Sequence, residues 1–207
     1  GIYNSYYLSD GAAMRVTPIG IACAGDPERA AALADIDARI SHSRDGLWSA
    51  QAVAVAVAVA MAGATVDEIC QAAIAVTPSD SWMRFVFTKA MSIIEEHQTL
   101  ENAWKPLHDA LWTEYKSSAP EAVPSALAIF KLTNGDFRRG IVYSGNFGRD
   151  ADTIAAILGA ISGAMNGMKS IPPRWVDKVR LTTGTCLPFT KGMDLFDVAA
   201  QLADLVQ

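Results

Sequence analysis

From residue 46 to residue 65 the chain carries no charged side chain, and Val and Ala alternate from Val53 to Val59. Taken alone, a period of two reads as a β-strand. Length and alanine content read instead as a helix over residues 50–62, buried on every side. The stretch is about long enough to span a bilayer. Yet Ser49 and Gln51 lie within it, Arg44 and Asp45 precede it, and alanine gains little from lipid. We read it as a buried helix of a soluble bundle, with no membrane involvement. Alanine dominates the apolar residues throughout, and alanine is the strongest helix former. The expected fold is therefore all-α, a multi-helix bundle with residues 1–207 as one domain.

The formal net charge is −5. No dense Lys/Arg tract is present, so binding to nucleic acid lacks its electrostatic driving force. Cys23, Cys70 and Cys186 are odd in number and widely spaced, which reads as reduced, buried thiols and a cytoplasmic protein.

Local signals divide the rest. Residues 1–22 read as a loop-rich entry stopped by Pro18. Asp26-Pro27-Glu28 opens a helix whose apolar face is Leu33, Ile36 and Ile40, ending near Ser41-His42-Ser43. Thr65-Val66-Asp67-Glu68 is a capping box for a helix to about Ala75. Pro78-Ser79-Asp80 opens another, with Trp82, Phe85, Val86, Lys89 and Ile93 on its face. Residues 102–116 are amphipathic through Trp104, Leu107, Leu111 and Tyr115, with Pro106 kinking or delaying the helix. Residues 120–132 form a helix closed by Asn134-Gly135. A short segment, 136–144, leads into a loop at Gly145. Residues 152–165 form a helix ending near Gly167, Pro172-Pro173 breaks the chain, and residues 194–206 form a last amphipathic helix. The total is about nine helices.

The candidate site is the turn Gly145-Asn146-Phe147-Gly148-Arg149-Asp150-Ala151-Asp152-Thr153, which runs directly into an apolar helix. Two readings of its oxygens stand side by side. One of Asp150, Asp152 and Thr153 caps the helix while the others favour its positive end. Alternatively, these hard oxygens ligate a divalent cation such as Mg²⁺. Gly145 and Gly148 expose backbone N–H groups beside them. Ala155, Ala156, Gly159, Ala160, Gly163 and Ala164 let neighbouring backbones come close, and Ile154, Ile157, Leu158 and Ile161 grip the core.

These residues resemble the ADP-ribosylglycohydrolase family. Asp150-Ala151-Asp152-Thr153-Ile154-Ala155-Ala156-Ile157 is similar to its carboxy-terminal metal motif. Asp10-Gly11-Ala12-Ala13-Met14-Arg15 is similar to its Gly-Asn-Gly-Ala-Met-Arg loop. Ser41-His42 before the long Ala/Val helix is similar to its Thr-His, and Pro173-Arg174-Trp175 fits the segment after the metal helix. The resemblance implies an all-α, metal-dependent hydrolase that releases ADP-ribose from proteins or small molecules. It implies that Asp150, Asp152 and Thr153 hold one Mg²⁺ or a pair of ions, with Mn²⁺ or Ca²⁺ as alternatives, and that Asp150 and Asp152 are catalytic. It places Ser9, Asp10, Gly11, His42, Gly145 and Gly148 against the substrate. Met14 reads as core packing, and Arg15 as either a phosphate contact or an internal salt bridge.

Three departures accompany the likeness. Ser9-Asp10 stands where many members have Gly-Asn. Arg149 stands where many have glycine. The family's amino-terminal acidic cluster has no counterpart after Gly1, so a further segment or second chain is expected to complete the site. Beside the hydrolase, the sequence leaves open an ADP-ribose or nucleotide binder without turnover, or half of a split site. It also leaves open a structural member without activity.

Overall fold

The structure, a computed structural model, describes residue 1 and residues 3–205. Among these residues eleven α-helices form, and no β-strand longer than an isolated bridge. The all-α expectation holds. Val206, the expected end of the last helix, lies outside the described residues.

The charge-free stretch becomes α3, Asp45–Met61, with twelve of its residues buried. Alternating Val and Ala on a 3.6-residue period spreads both types around the whole circumference, so α3 can be surrounded. It packs against α1 (Thr17–Ala22), α2 (Pro27–Ala38), α4 (Val66–Ala75), α5 (Trp82–His97), α7 (Ala119–Leu132) and α9 (Ala151–Asn166). The second nearly all-buried helix is α7, and α9 lies against both α3 and α7. Ile154, Ile157, Leu158 and Ile161 of α9 are fully buried, as the pattern implied. No helix among the described residues is long and apolar enough to cross a membrane.

Close backbone approaches set the geometry around α3. A Cβ on Gly20 of α1 would stand 2.6 Å from the Val57 side chain and 2.7 Å from the Ala54 carbonyl oxygen. Gly46 sits even more tightly under the Tyr7 carbonyl, which brings the amino-terminal loop onto the start of α3.

Caps fix most helix starts. Asp26 accepts from the Arg29 N–H, Ser81 from Arg84, Thr99 from Asn102 and Asp136 from Arg139. The Thr65–Glu68 capping box is present in both directions.

Several readings are corrected. Pro18 does not stop the chain but opens α1, where its missing N–H costs nothing. The inward face of α2 is Ala30, Ala34 and Ala38, while Leu33, Ile36 and Ile40 are exposed. Only methyl groups fit where α2 lies on α3. α5 starts at Trp82 and buries Met83, Val86, Phe87, Ala90, Ile93 and Ile94, leaving Trp82 and Phe85 exposed. α6 (Leu100–Leu111) begins earlier than expected, passes through Pro106 and stops before Tyr115. The segment read as leading to a loop is α8, Phe137–Phe147, and Gly145 lies inside it. Its Gly140 has no side chain because Leu158 of α9 fills that space. Pro173 starts α10 (Pro173–Val179), and the last helix, α11, covers Leu195–Ala203. Met14 is 51% exposed rather than packed in the core. Gly163 has nothing within reach of an added Cβ, so it serves no close approach. Cys23 and Cys70 are buried free thiols, and burial pushes Cys70 up to about 12; Cys186 is exposed.

Candidate active site

Gly148, with φ of +83°, ends α8. Arg149 follows in the left-handed region at φ +58°. Two consecutive positive-φ residues reverse the chain sharply and deliver Asp150 to the N-cap of α9. Asp150 is 6% exposed and makes no side-chain capping hydrogen bond. The capping reading therefore does not describe Asp150. Thr153 is buried and Asp152 is exposed in the first turn. The positive end of α9 favours both carboxylates.

The amino-terminal loop supplies the other side. Asp10 is 3% exposed, and its carboxyl meets that of Asp150. Burial, then the hydrogen-bonding contact and charge of Asp150, then the charge of Asp152, push the Asp10 carboxyl up from 3.8 to about 8. Among the described residues its Oδ2 has no donor. The two observations agree, because ionised carboxylates are acceptors only. Such a pair requires a shared proton or a cation between its oxygens.

Ser9 and His42 meet next to it. Ser9 Oγ lies 2.9 Å from His42 Nε2, and Ser41 Oγ lies 2.8 Å from His42 Nδ1. Burial, then the charges of Arg15 and the N-terminus, lower the His42 pKa. The ring therefore favours its neutral form, with one nitrogen donating and the other accepting. A Cβ on Gly11 would touch the same ring at 3.5 Å. Arg15 takes the internal alternative, pairing with Asp37 at 2.8 Å and donating to Ser41 Oγ.

Thus Ser9, Gly11 and His42 form one group, and Asp10 and Asp150 another, with Asp152 reaching Asp10 through its charge. Gly145 stands apart, exposed on α8 with its N–H committed to the helix. Among the described residues no three His, Cys, Asp or Glu side chains converge as a ready cation cage. The open hollows of about 440 and 400 Å³ on the surface are not lined by Asp10, Asp150 or Asp152.

The sequence reading missed Glu121. It is the only charge in the first twelve residues of α7, all of them buried, and it is 2% exposed. Its carboxylate accepts from Arg149 Nε at 2.5 Å and Nη2 at 2.9 Å, and from the N–H and hydroxyl of Thr113. A lone acid in an otherwise apolar helix was the available signal, since such a charge needs a partner. His108 was also missed; its Nε2 meets the Phe147 carbonyl at 2.6 Å and ties down the end of α8.

Comparison with known proteins bears on the family of the chain. An uncharacterized protein, YegU, of Escherichia coli (strain K12) is 30% identical over 191 residues, covering 80% of this chain and 52% of that protein. An uncharacterized protein of Archaeoglobus fulgidus is 31% identical, covering 82% of this chain and 53% of its own length. The chain spans about half the length of these two curated relatives. The ADP-ribosylarginine hydrolase Tri1 of Pseudomonas putida is 30% identical over 101 residues, 44% of this chain and 26% of that protein. The family model for ADP-ribosylglycohydrolase matches residues 4–207. That match leaves no part of the helical core outside it: the chain belongs to the ADP-ribosylglycohydrolase family.

Proposed function

We propose that this protein takes part in metal-dependent hydrolysis of the glycosidic bond joining ADP-ribose to a protein side chain or small molecule. The observation that carries the reading is the buried meeting of Asp10 with Asp150, where Asp10 Oδ2 has no donor among the described residues. Hard, anionic oxygens in a confined place suit a divalent cation of the Mg²⁺ or Mn²⁺ kind, with Ca²⁺ as a further alternative. Asp10, Asp150, Asp152 and Thr153 would hold it. Since no three carboxylates converge among the described residues, water, the substrate or ligands from outside this set would complete its coordination. Bound there, the ion would polarise ribose hydroxyls and make a water more acidic.

The remaining residues orient the sugar. Ser9 is fixed by His42, so its hydroxyl has a defined direction toward a ligand. Gly11 leaves the loop without a side chain beside that ring. Gly148 contributes a bare backbone at the turn. The partial relative named as an ADP-ribosylarginine hydrolase supports arginine-linked ADP-ribose as one substrate class. The acidic net charge and the absence of a basic tract support a small or protein-borne substrate rather than nucleic acid. The three thiols, all free, support a cytoplasmic setting.

The test is release of ADP-ribose from ADP-ribosylated arginine and serine peptides with Mg²⁺, by the wild type and by Asp150→Asn and Asp152→Asn. Both variants are expected to lose turnover and to keep the helical spectrum. Turnover retained in both rejects the assignment. Binding heat with ADP-ribose but no product from the wild type selects a binder without catalysis.

A further inference from the structure

Residues 112–121, the connection from α6 into the first turn of α7, touch both carriers of the acidic pair. On one side the backbone stitches them to the Asp10 loop. The Asp10 N–H donates to the Ser117 carbonyl at 2.9 Å, the Ala119 N–H donates to the Leu8 carbonyl at 3.0 Å, and Ser9 and Ser118 form an antiparallel bridge. On the other side the same segment seizes Arg149, the residue immediately before Asp150. Glu121 binds the guanidinium through both oxygens, the Thr113 carbonyl accepts from Nη2, and the Trp112 ring lies 5.4 Å beneath it.

This arrangement has a cause and a consequence. Arginine rarely adopts φ +58°, and such a backbone persists only where surrounding contacts over-determine it. Here two parallel hydrogen bonds to a buried carboxylate do so, the strongest geometry a guanidinium offers. Glu121 in turn is held by Thr113, so neither partner can swing away alone. Asp10 and Asp150 come from distant parts of the sequence, yet one short segment holds the carriers of both.

We propose that Glu121 and Arg149 are positioning residues. Through residues 112–121 their ion pair fixes the distance between the Asp10 and Asp150 carboxyls, and so sets affinity for the divalent cation without either residue touching it. The cation part rests on the function proposed above; the mechanical part does not.

The experiment uses the full chain with three variants, Glu121→Gln, Arg149→Lys and Arg149→Gly. Mn²⁺ binding is read by electron paramagnetic resonance, and amide hydrogen exchange is read over residues 8–15 without metal. Glu121→Gln and Arg149→Gly are expected to weaken Mn²⁺ binding by about tenfold or more, with Arg149→Lys between them and the wild type. All three are expected to speed exchange at Asp10. Glycine is relaxed at φ +58°, so a purely backbone role leaves Arg149→Gly binding Mn²⁺ as the wild type does, and that result overturns the proposal. Exchange confined to residues 112–121 and 148–154, with residues 8–15 unchanged, overturns it as well. If Arg149→Gly fails to fold, the charge-keeping Arg149→Lys and the isosteric Glu121→Gln carry the same readouts. Should the wild type take up no Mn²⁺ while exchange at residues 8–15 still responds, the metal reading fails and the positioning role stands.

Discussion

Asp10 and Asp150 are buried with their carboxyls as neighbours, and among the described residues nothing donates to Asp10 Oδ2. The family resemblance put Asp10 beside the substrate and Asp150 on the metal. Their contact makes them one acidic unit, joined by a loop at each side rather than by sequence.

Stability should fall with rising pH when no divalent cation is present. The folded Asp10 carboxyl titrates near 8 and an ordinary one near 3.8. Between those values the folded chain holds a proton that the unfolded chain has lost, so the contribution is complete at low pH and disappears as pH rises through 8. A shift of this size bounds the effect at about 6 kcal/mol. His42, with its lowered pKa, acts in the opposite direction just below 6.5, and comparison with a variant cancels it. Urea melts in EDTA at pH 5 and pH 8 should show wild type losing clearly more stability than Asp10→Asn. Equal losses would contradict the buried pair.

Mg²⁺ or Mn²⁺ should raise the melting temperature, and more at pH 8 than at pH 6. A cation must displace the proton held by Asp10, so protons compete with it at lower pH. At a hundred times Kd the linkage amounts to about 2.7 kcal/mol. Thermal scans at both pH values check this, with Asp150→Asn expected to lose the response. A wild-type melting temperature indifferent to millimolar metal at pH 8 counts against cation binding.

Gly46→Ala should damage the site from a distance. The new methyl would overlap the Tyr7 carbonyl and press on the His42 ring, moving the loop that carries Ser9 and Asp10. Overpacking of this kind costs about 1–3 kcal/mol. Metal affinity measured by calorimetry should drop along with stability. A variant that loses stability but keeps wild-type affinity would uncouple Gly46 from the site.

Thr65→Ala should do the reverse. It removes the capping box of α4, which costs about 0.5–2 kcal/mol. The Thr65 side chain spends its hydrogen bonds on Glu68 rather than on Ser9, Asp10, His42 or Asp150, so Mn²⁺ affinity per folded molecule should stay unchanged.

Particular elements show what could be read beforehand. The helix at α3, the cap at Asp26, the box at Thr65 and the buried stripe Ile154, Ile157, Leu158 and Ile161 are written in residues within a turn or two of one another. Such signals act locally, so sequence alone fixed the all-α class, most helix starts and the acidic turn. The face of α2 escaped because the size of its neighbour decides it: α3 leaves room only for Ala30, Ala34 and Ala38, and the larger Ile36 and Ile40 turn outward. α8 escaped because Gly140 and Gly145 look like loop residues until Leu158 is packed against the first. The meetings of Asp10 with Asp150, Ser9 with His42 and Glu121 with Arg149 belong wholly to the tertiary structure. Each joins segments far apart in the chain, and only the packing of α7 and α9 on α3 brings their carriers within reach.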